Sequence, residues 1–272
     1  MFDSDPSAFE PRRHDGQDVS LHGLDHRSIG RPPIQRYLEG DGIRIEWPWT
    51  SHGRARKVLS RSGARRRYVV PCFRSVSREA HCEAEEERDA AILLDACAGI
   101  QFQEQPAKLV FTLAGERYEH WPDLLVVSDG RREFWECKDE RSRQDLFIRH
   151  RTARLQELLA PLRYGYRVVS TNELNQGSYL ANAILMRRRH ALPIPPEVRG
   201  KIRTWLAALP PTQAQVLGAF LPSDPFGLLC CLLYAGAVRG QLREPISLEM
   251  TIRPSLAEED VPWVWEVLEK IS

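Results

Sequence analysis

Residues 120–140 read HWPDLLVVSDGRREFWECKDE, and the pattern of this stretch decides the fold. Residues 124–127 are a continuous apolar run suited to a buried strand. Ser128-Asp129-Gly130 is turn chemistry, and residues 133–138 return as a second strand. Side chains alternate along a strand, so Glu136 and Lys138 project from one face while Trp135 and Cys137 project from the other. Folding the hairpin brings Asp123 toward the Glu136 face. Two carboxylates and an amine so placed can hold a divalent cation beside a protonatable group, as metal-assisted hydrolysis of a phosphodiester requires. The spelling PD, a gap, then E-x-K is short. Taken alone it equally describes a solvated hairpin whose Glu136 and Lys138 are ordinary surface charges.

The rest of the chain narrows the choice. Its 272 residues suffice for one large domain or two smaller ones with their own cores. A hydrophobic fraction of 42% and a charged fraction of 28% place it with soluble globular proteins. The longest apolar stretch, residues 226–238, is far below the roughly 20 residues of a membrane span and reads as a buried helix. The start, Met-Phe-Asp-Ser-Asp, lacks signal-peptide order. Cys72, Cys82, Cys97, Cys137, Cys230 and Cys231 form no C-x-x-C, and several lie in apolar runs. Reduced core thiols are therefore expected, in a cytoplasmic protein.

A net charge of +1 does not announce a polyanionic partner, but the distribution of charge does. Arg54, Arg56, Lys57, Arg61, Arg65, Arg66 and Arg67 crowd together upstream. Arg141, Arg143, Arg149, His150, Arg151 and Arg154 follow the E-x-K strand. Basic runs are commonly solvated faces. Two of them flanking a carboxylate cluster suit a phosphate backbone laid across a metal site.

Residues 1–42, rich in Asp, Pro, Arg and Gly without periodicity, are expected to be a poorly ordered tail. Residues 81–98 read as a helix whose acidic early turns complement its dipole. Strands are expected at 108–113, 118–127 and 132–138, a helix at 143–162, a strand at 166–170 and a helix at 178–190. That order describes an α/β core, a mixed sheet flanked by helices, over residues 43–191. Residues 192–196 read as a Pro-rich linker. Beyond it, helices at 197–209, 211–221 and 224–235 followed by a short hairpin suggest a small winged-helix-like domain over residues 192–272. Few basic residues follow its third helix, which favours protein contact there over DNA reading.

These residues resemble the TnsA-type endonuclease subunit of heteromeric, Tn-seven-like transposases, a branch of the PD-(D/E)xK nuclease superfamily. The resemblance runs from about residue 56 to 189 and rests on RKVLSRSGARRR, CEAEEERDAAILLDA, FQEQP, WPDLLVV and WECK. The family helix reads E-S-x-x-E-R-D, onto which Glu83-Ala84-Glu85-Glu86-Glu87-Arg88-Asp89 falls, with Ala84 in place of the serine. The resemblance implies a restriction-endonuclease-like fold and makes Glu87 the helix-borne active-site carboxylate. It also aligns Gln105-Pro106 with the family's Q-P, where Gln105 could support the site or the strand alone. Helical spacing agrees in placing Glu83 and Glu87 on one face and Glu86 about 100° around.

The expected site is then Glu87, Asp123, Glu136 and Lys138. Mg²⁺, or Mn²⁺ in its place, would be held by Asp123, Glu136, the backbone carbonyl of Cys137 and Glu87. Lys138 would orient or deprotonate the attacking water and offset charge on the pentavalent intermediate. Arg54, Arg56, Lys57, Arg61, Arg65, Arg66, Arg67, Arg141 and Arg143 would track DNA phosphates without reading sequence. What the resemblance implies is narrower: a bacterial, nucleoid-associated endonuclease subunit that cuts the 5′ strand at double-stranded transposon ends. It would act beside a DDE-type transposase subunit, with an AAA+ ATPase regulator as a further partner. A stand-alone restriction or phage-type endonuclease of the same fold is the alternative, and a DNA-binding subunit with a relict nuclease core is a second.

Overall fold

The computed structural model describes residues 34–48, 54–55, 67–128, 130–192, 194–206, 211–255 and 262–269. Contacts divide the chain into two compact units, residues 1–88 with 101–170 and residues 89–100 with 171–272.

The first unit holds strands β1 (Ile34–Gly40), β2 (Ile43–Pro48), β3 (Tyr68–Pro71) and β4 (Glu79–Cys82), then the first turn of helix α1 (Glu85–Ala96). It resumes with β5 (Gln101–Glu104), β6 (Lys108–Leu113), β7 (Glu116–His120), β8 (Leu124–Ser128) and β9 (Arg131–Lys138). Helices α2 (Glu140–Arg143) and α3 (Leu146–Leu159) and strand β10 (Gly165–Ser170) complete it. One sheet, in the order β1-β2-β6-β7, is antiparallel throughout. The other, β10-β9-β8-β5, is mixed, because β10 runs parallel to β9 after the α3 crossover. β3 and β4 form a separate antiparallel pair. The fold is thus mixed α/β.

Local chemistry accounts for the hairpin at the centre. β8 and β9 pair from Leu124↔Trp135 to Ser128↔Arg131, and Gly130 takes the positive φ (80°) that a two-residue turn demands. β8 and β9 are buried over most of their length, with Phe134 and Trp135 fully so. Ile45, Leu109, Phe111, Leu125, Phe134 and Tyr166 form one core with Leu155, Leu158 and Leu159 of α3. Phe134 lies against Tyr164 and Trp47, with ring centroids 5.3 and 6.0 Å away. Deleting a side chain such as Leu155 from this packing would cost about 2–5 kcal/mol.

Several expectations need correction. β1 lies inside the stretch read as a tail; its alternation was short, and its partner β2 lies just beyond the turn at 41–42. Residues 1–33 fall outside the described residues. The strand expected over 118–127 is two strands in different sheets, broken at Trp121-Pro122-Asp123, where proline offers no donor. The first strand of the mixed sheet is β5, whereas 108–113 joins the other sheet. His81 and Cys82 belong to β4, so α1 starts later than expected. The helix expected at 143–162 is α3, starting later at Leu146 and ending in a 3₁₀ turn at Ala160–Leu162, with the short α2 ahead of it. Asp139 caps α2 through Ser142, and Asp145 caps α3 by accepting from the N–H groups of Phe147 and Ile148.

The second unit holds the remainder of α1, then α4 (Thr171–Leu174), α5 (Tyr179–Arg189) and α6 (Pro196–Leu206). There follow β11 (Thr212–Gln213), a 3₁₀ helix (Ala214–Ala219), α7 (Pro225–Ala235), β12 (Val238–Gly240), β13 (Thr251–Pro254) and α8 (Trp263–Glu269). Residues 211–221 are therefore a short strand and a 3₁₀ turn rather than a helix, because Thr212 and Gln213 pair with β13. The sheet order is β11-β13-β12, antiparallel. α7 is capped by Asp224 and closed by Gly236 in the left-handed conformation, and every residue from Gly227 to Tyr234 is buried. The Pro-rich stretch at 192–196 lies within this unit. All six cysteines are buried and free. Among the described residues no helix is long and apolar enough to cross a membrane.

Candidate active site

Asp123 is fixed by three strands of the mixed sheet. Its N–H donates to the Trp135 carbonyl at 2.9 Å, and its carbonyl accepts from the Gln105 N–H at 2.8 Å. Its Oδ2 accepts from the Cys137 N–H at 2.8 Å. Gln105 is fully buried, has a positive φ of 44°, and sets its amide Nε2 3.5 Å from Asp123 Oδ1. A non-glycine residue held there costs about 1–3 kcal/mol. Gln105 thus supports Asp123 through both backbone and side chain, at the end of β5 rather than at a strand start.

Glu136 is 4% exposed, which removes the solvated-hairpin alternative. Its Oε1 faces Lys138 Nζ at 3.0 Å. Its Oε2 accepts from the Tyr166 hydroxyl and from Arg151 Nη2, each at 2.5 Å, and lies 3.0 Å from His120 Nε2. His120 Nε2 is also 2.9 Å from the Tyr166 hydroxyl. Since that hydroxyl gives its proton to Glu136, Nε2 is the donor to the tyrosine oxygen. Burial would push the Glu136 pKa up, but the hydrogen bond and charge of His120, with Lys138 and Arg151, outweigh it and hold it well below the carboxylate range. Burial also works against the Lys138 ammonium, yet Asp123 and Glu136 prevail and raise its pKa.

Glu87 sits in the first turn of α1 and is the one buried member of the Glu85-Glu86-Glu87 run. Its Oε2 accepts from the Glu83 N–H at 2.9 Å, joining the i and i+4 positions that share a face. Burial first, then repulsion from Asp123, push its pKa from 4.5 to about 8, although the Glu83 hydrogen bond and Lys138 pull it down. Burial likewise raises Asp123, with Lys138 opposing and Glu136 adding to the rise. The four expected residues therefore act on one another electrostatically. Glu136 is rich in positive partners, and the Glu87–Asp123 side is poor in them.

Hard oxygen donors of this kind suit Mg²⁺. Among the described residues no three His, Cys, Asp or Glu side chains are arranged to hold a metal ion by themselves. Mg²⁺ is commonly bound through only one or two carboxylates, with waters and substrate phosphates completing its shell, so the donors fit that ion better than zinc.

The basic residues fare differently. Arg54 is committed to Glu104, at 2.6 Å through Nε, and its Nη2 lies 3.7 Å from Glu79. Ser77 also donates to Glu104, which precedes Gln105. Arg143 Nη1 reaches Ser170 Oγ at 3.3 Å; Arg141 is exposed and Arg67 half-buried. Arg56, Lys57, Arg61, Arg65 and Arg66 lie outside the described residues. Sequence reasoning missed His120 and Tyr166 and placed Arg151 among backbone contacts. One usable signal was a tyrosine on the strand after the crossover, beside the E-x-K strand. The chain matches no protein-family model and no curated protein.

Proposed function

We propose that the protein is a Mg²⁺-dependent DNA endonuclease of the PD-(D/E)xK type, acting as the TnsA-like subunit of a heteromeric transposase and cutting the 5′ strand at transposon ends. The observation that carries the reading is the convergence of buried Glu87, Asp123 and Glu136 with half-buried Lys138 at one end of the mixed sheet. The order α1, β5, β8, β9, α3, β10 supports it: helix, three strands, helix and a final parallel strand, with β6–β7 as an inserted hairpin in the second sheet.

Asp123 and Glu136 would hold the ion, with the backbone carbonyl of Cys137 and with Glu87 acting directly or through water. When bound, it polarises the scissile phosphate and acidifies a water. Lys138, kept charged by Asp123 and Glu136, serves best as a positive charge beside the pentavalent phosphate. Gln105 and the Cys137 N–H keep Asp123 oriented. In the second unit the order α6, β11, 3₁₀ helix, α7, β12, β13 suits a winged-helix-like domain. The burial of α7 argues against its entering a DNA groove, and the few basic residues that follow it favour contact with the DDE-type transposase or an ATPase regulator. Purified protein, its neighbouring transposase and end DNA should give 5′-strand nicks in Mg²⁺. Asp123→Asn and Lys138→Ala should each lower nicking by at least ~100-fold; unchanged nicking in both removes the site assignment.

A further inference from the structure

We propose that Arg151 is a catalytic residue that leaves Glu136 to bind a non-bridging oxygen of the scissile phosphodiester. This deepens the nuclease reading and rests on it. Glu136 Oε2 takes hydrogen bonds from Arg151 and from the Tyr166 hydroxyl, with His120 Nε2 a further 3.0 Å contact. Oε1 has Lys138. Withdrawing Arg151 therefore leaves each carboxylate oxygen with a donor, Tyr166 on Oε2 and Lys138 on Oε1.

Its present pose also leaves it incompletely bonded. Arg151 Nε is buried and has no hydrogen-bond partner. A buried donor left so costs about 1–3 kcal/mol, and such an exception calls for a reason. The guanidinium is built to use two adjacent N–H groups on one oxyanion, as a phosphate allows. Arg44 Nε is likewise unpartnered, but that side chain is 39% exposed against 14% for Arg151. Arg167 Nε has Glu133 Oε2 at 3.5 Å.

A route for the exchange is present. The Arg151 guanidinium carbon lies 5.8 Å from the centroid of the Phe147 ring, at the first turn of α3. Phe147 and Leu146 are 45% and 67% exposed, and Arg149 and His150 beside them are exposed too. The guanidinium can thus slide on an aromatic face that opens to solvent, toward a basic surface suited to a polyanion. A cation competing for Glu136 would weaken the pull that holds Arg151 inward, so the arginine becomes available as substrate arrives.

Inorganic phosphate serves as the probe, added to the full-length protein at low ionic strength. The ¹H–¹⁵N correlation of Arg151 Nε, assigned by its absence from Arg151→Lys, should shift on titration. In nicking of end DNA with the neighbouring transposase, Arg151→Lys keeps a charge beside Glu136 but lacks the paired donors. It should be slower by ~100-fold or more, with the melting temperature unchanged. Arg117→Lys, at an exposed arginine of β7 outside both basic segments, should nick normally. An unmoved Nε signal, or wild-type nicking by Arg151→Lys, overturns the assignment of Arg151. A wild-type protein that shows the phosphate-induced shift yet cuts no DNA with its partner overturns the nuclease reading instead.

Discussion

Replacing Glu87 by glutamine should stabilise the protein at alkaline pH, and by an amount that depends on pH. Glu87 is 8% exposed, and its carboxyl titrates near 8 in the folded chain against an ordinary 4.5. Between those values the folded state binds more protons than the unfolded state, so unfolding free energy falls as pH rises. Below about pH 4.5 both states are protonated and nothing is lost; above about 8 the whole penalty is in place. At ~1.4 kcal/mol per pH unit the interval from 4.5 to about 8 corresponds to roughly 5 kcal/mol as an upper limit. Glu87 and Asp123 titrate as an interacting pair, so part of this belongs to Asp123 and survives the substitution. An increase of about 2–4 kcal/mol in the stability difference between variant and wild type, from acid to alkaline pH, is therefore expected. Glu87→Gln is nearly isosteric and keeps an amide oxygen for the Glu83 N–H, so it isolates the charge. Urea denaturation of both proteins at pH 5, 7 and 8.5 reads the difference. Parallel pH profiles for the two proteins would refute the reasoning. Millimolar Mg²⁺ should narrow the gap at pH 8.5 by stabilising the wild type, and Glu87→Gln should respond less.

Two further substitutions test the framework around the site. Asn182→Ala removes donors to the carbonyls of Leu242 and Glu244, both at 2.8 Å, and an acceptor for the Ile246 N–H at 3.1 Å. It should cost about 2–4 kcal/mol and accelerate amide exchange at Ile246 selectively, and an unchanged Ile246 exchange rate would contradict the role given to this side chain. Arg163 is exposed with a φ of 62°, so Arg163→Gly should raise stability by about 0.5–1 kcal/mol in urea, whereas a loss would show that its side chain contributes more than its backbone strain costs.

Much of the first unit was legible because its signals are local. Phe134 to Lys138 announces a buried strand, and the Asp-Gly turn before it fixes the pairing of β8 with β9. Glu87 was singled out from the acidic run by the family resemblance, with helical spacing in agreement, and of Glu85, Glu86 and Glu87 it is the one that is buried. What the sequence hid depends on pairing between distant segments. β2 joins β6 across more than fifty residues, Glu46↔Lys108, so nothing local says that 108–113 leaves the mixed sheet. Pro122 did carry a local signal of interruption, outweighed by the apolar run on either side of it. Tyr166 reaches Glu136 only because β10 runs parallel to β9 with Val168 opposite Glu136, a register set by the crossover through α3. Arg151 looked like one more basic residue on a helix until that same crossover turned it toward the carboxylates.

The division of charge within the cluster has a chemical consequence. Glu136 is surrounded by Lys138, Arg151, His120 and the Tyr166 hydroxyl, so positive charge and donors are concentrated on this one carboxylate. Glu87 and Asp123 are buried with too little positive charge, and repulsion from Asp123 helps raise the Glu87 pKa. A site selected for stability alone would distribute its cations evenly, or replace the lone carboxylates by apolar side chains. The observed arrangement is complementary to something with two poles: positive charge beside Glu87 and Asp123, negative charge beside Lys138 and Arg151. A hydrated divalent cation bound to a phosphodiester has that polarity, and the strain of the unliganded site would then be relieved in the complex rather than in the free protein.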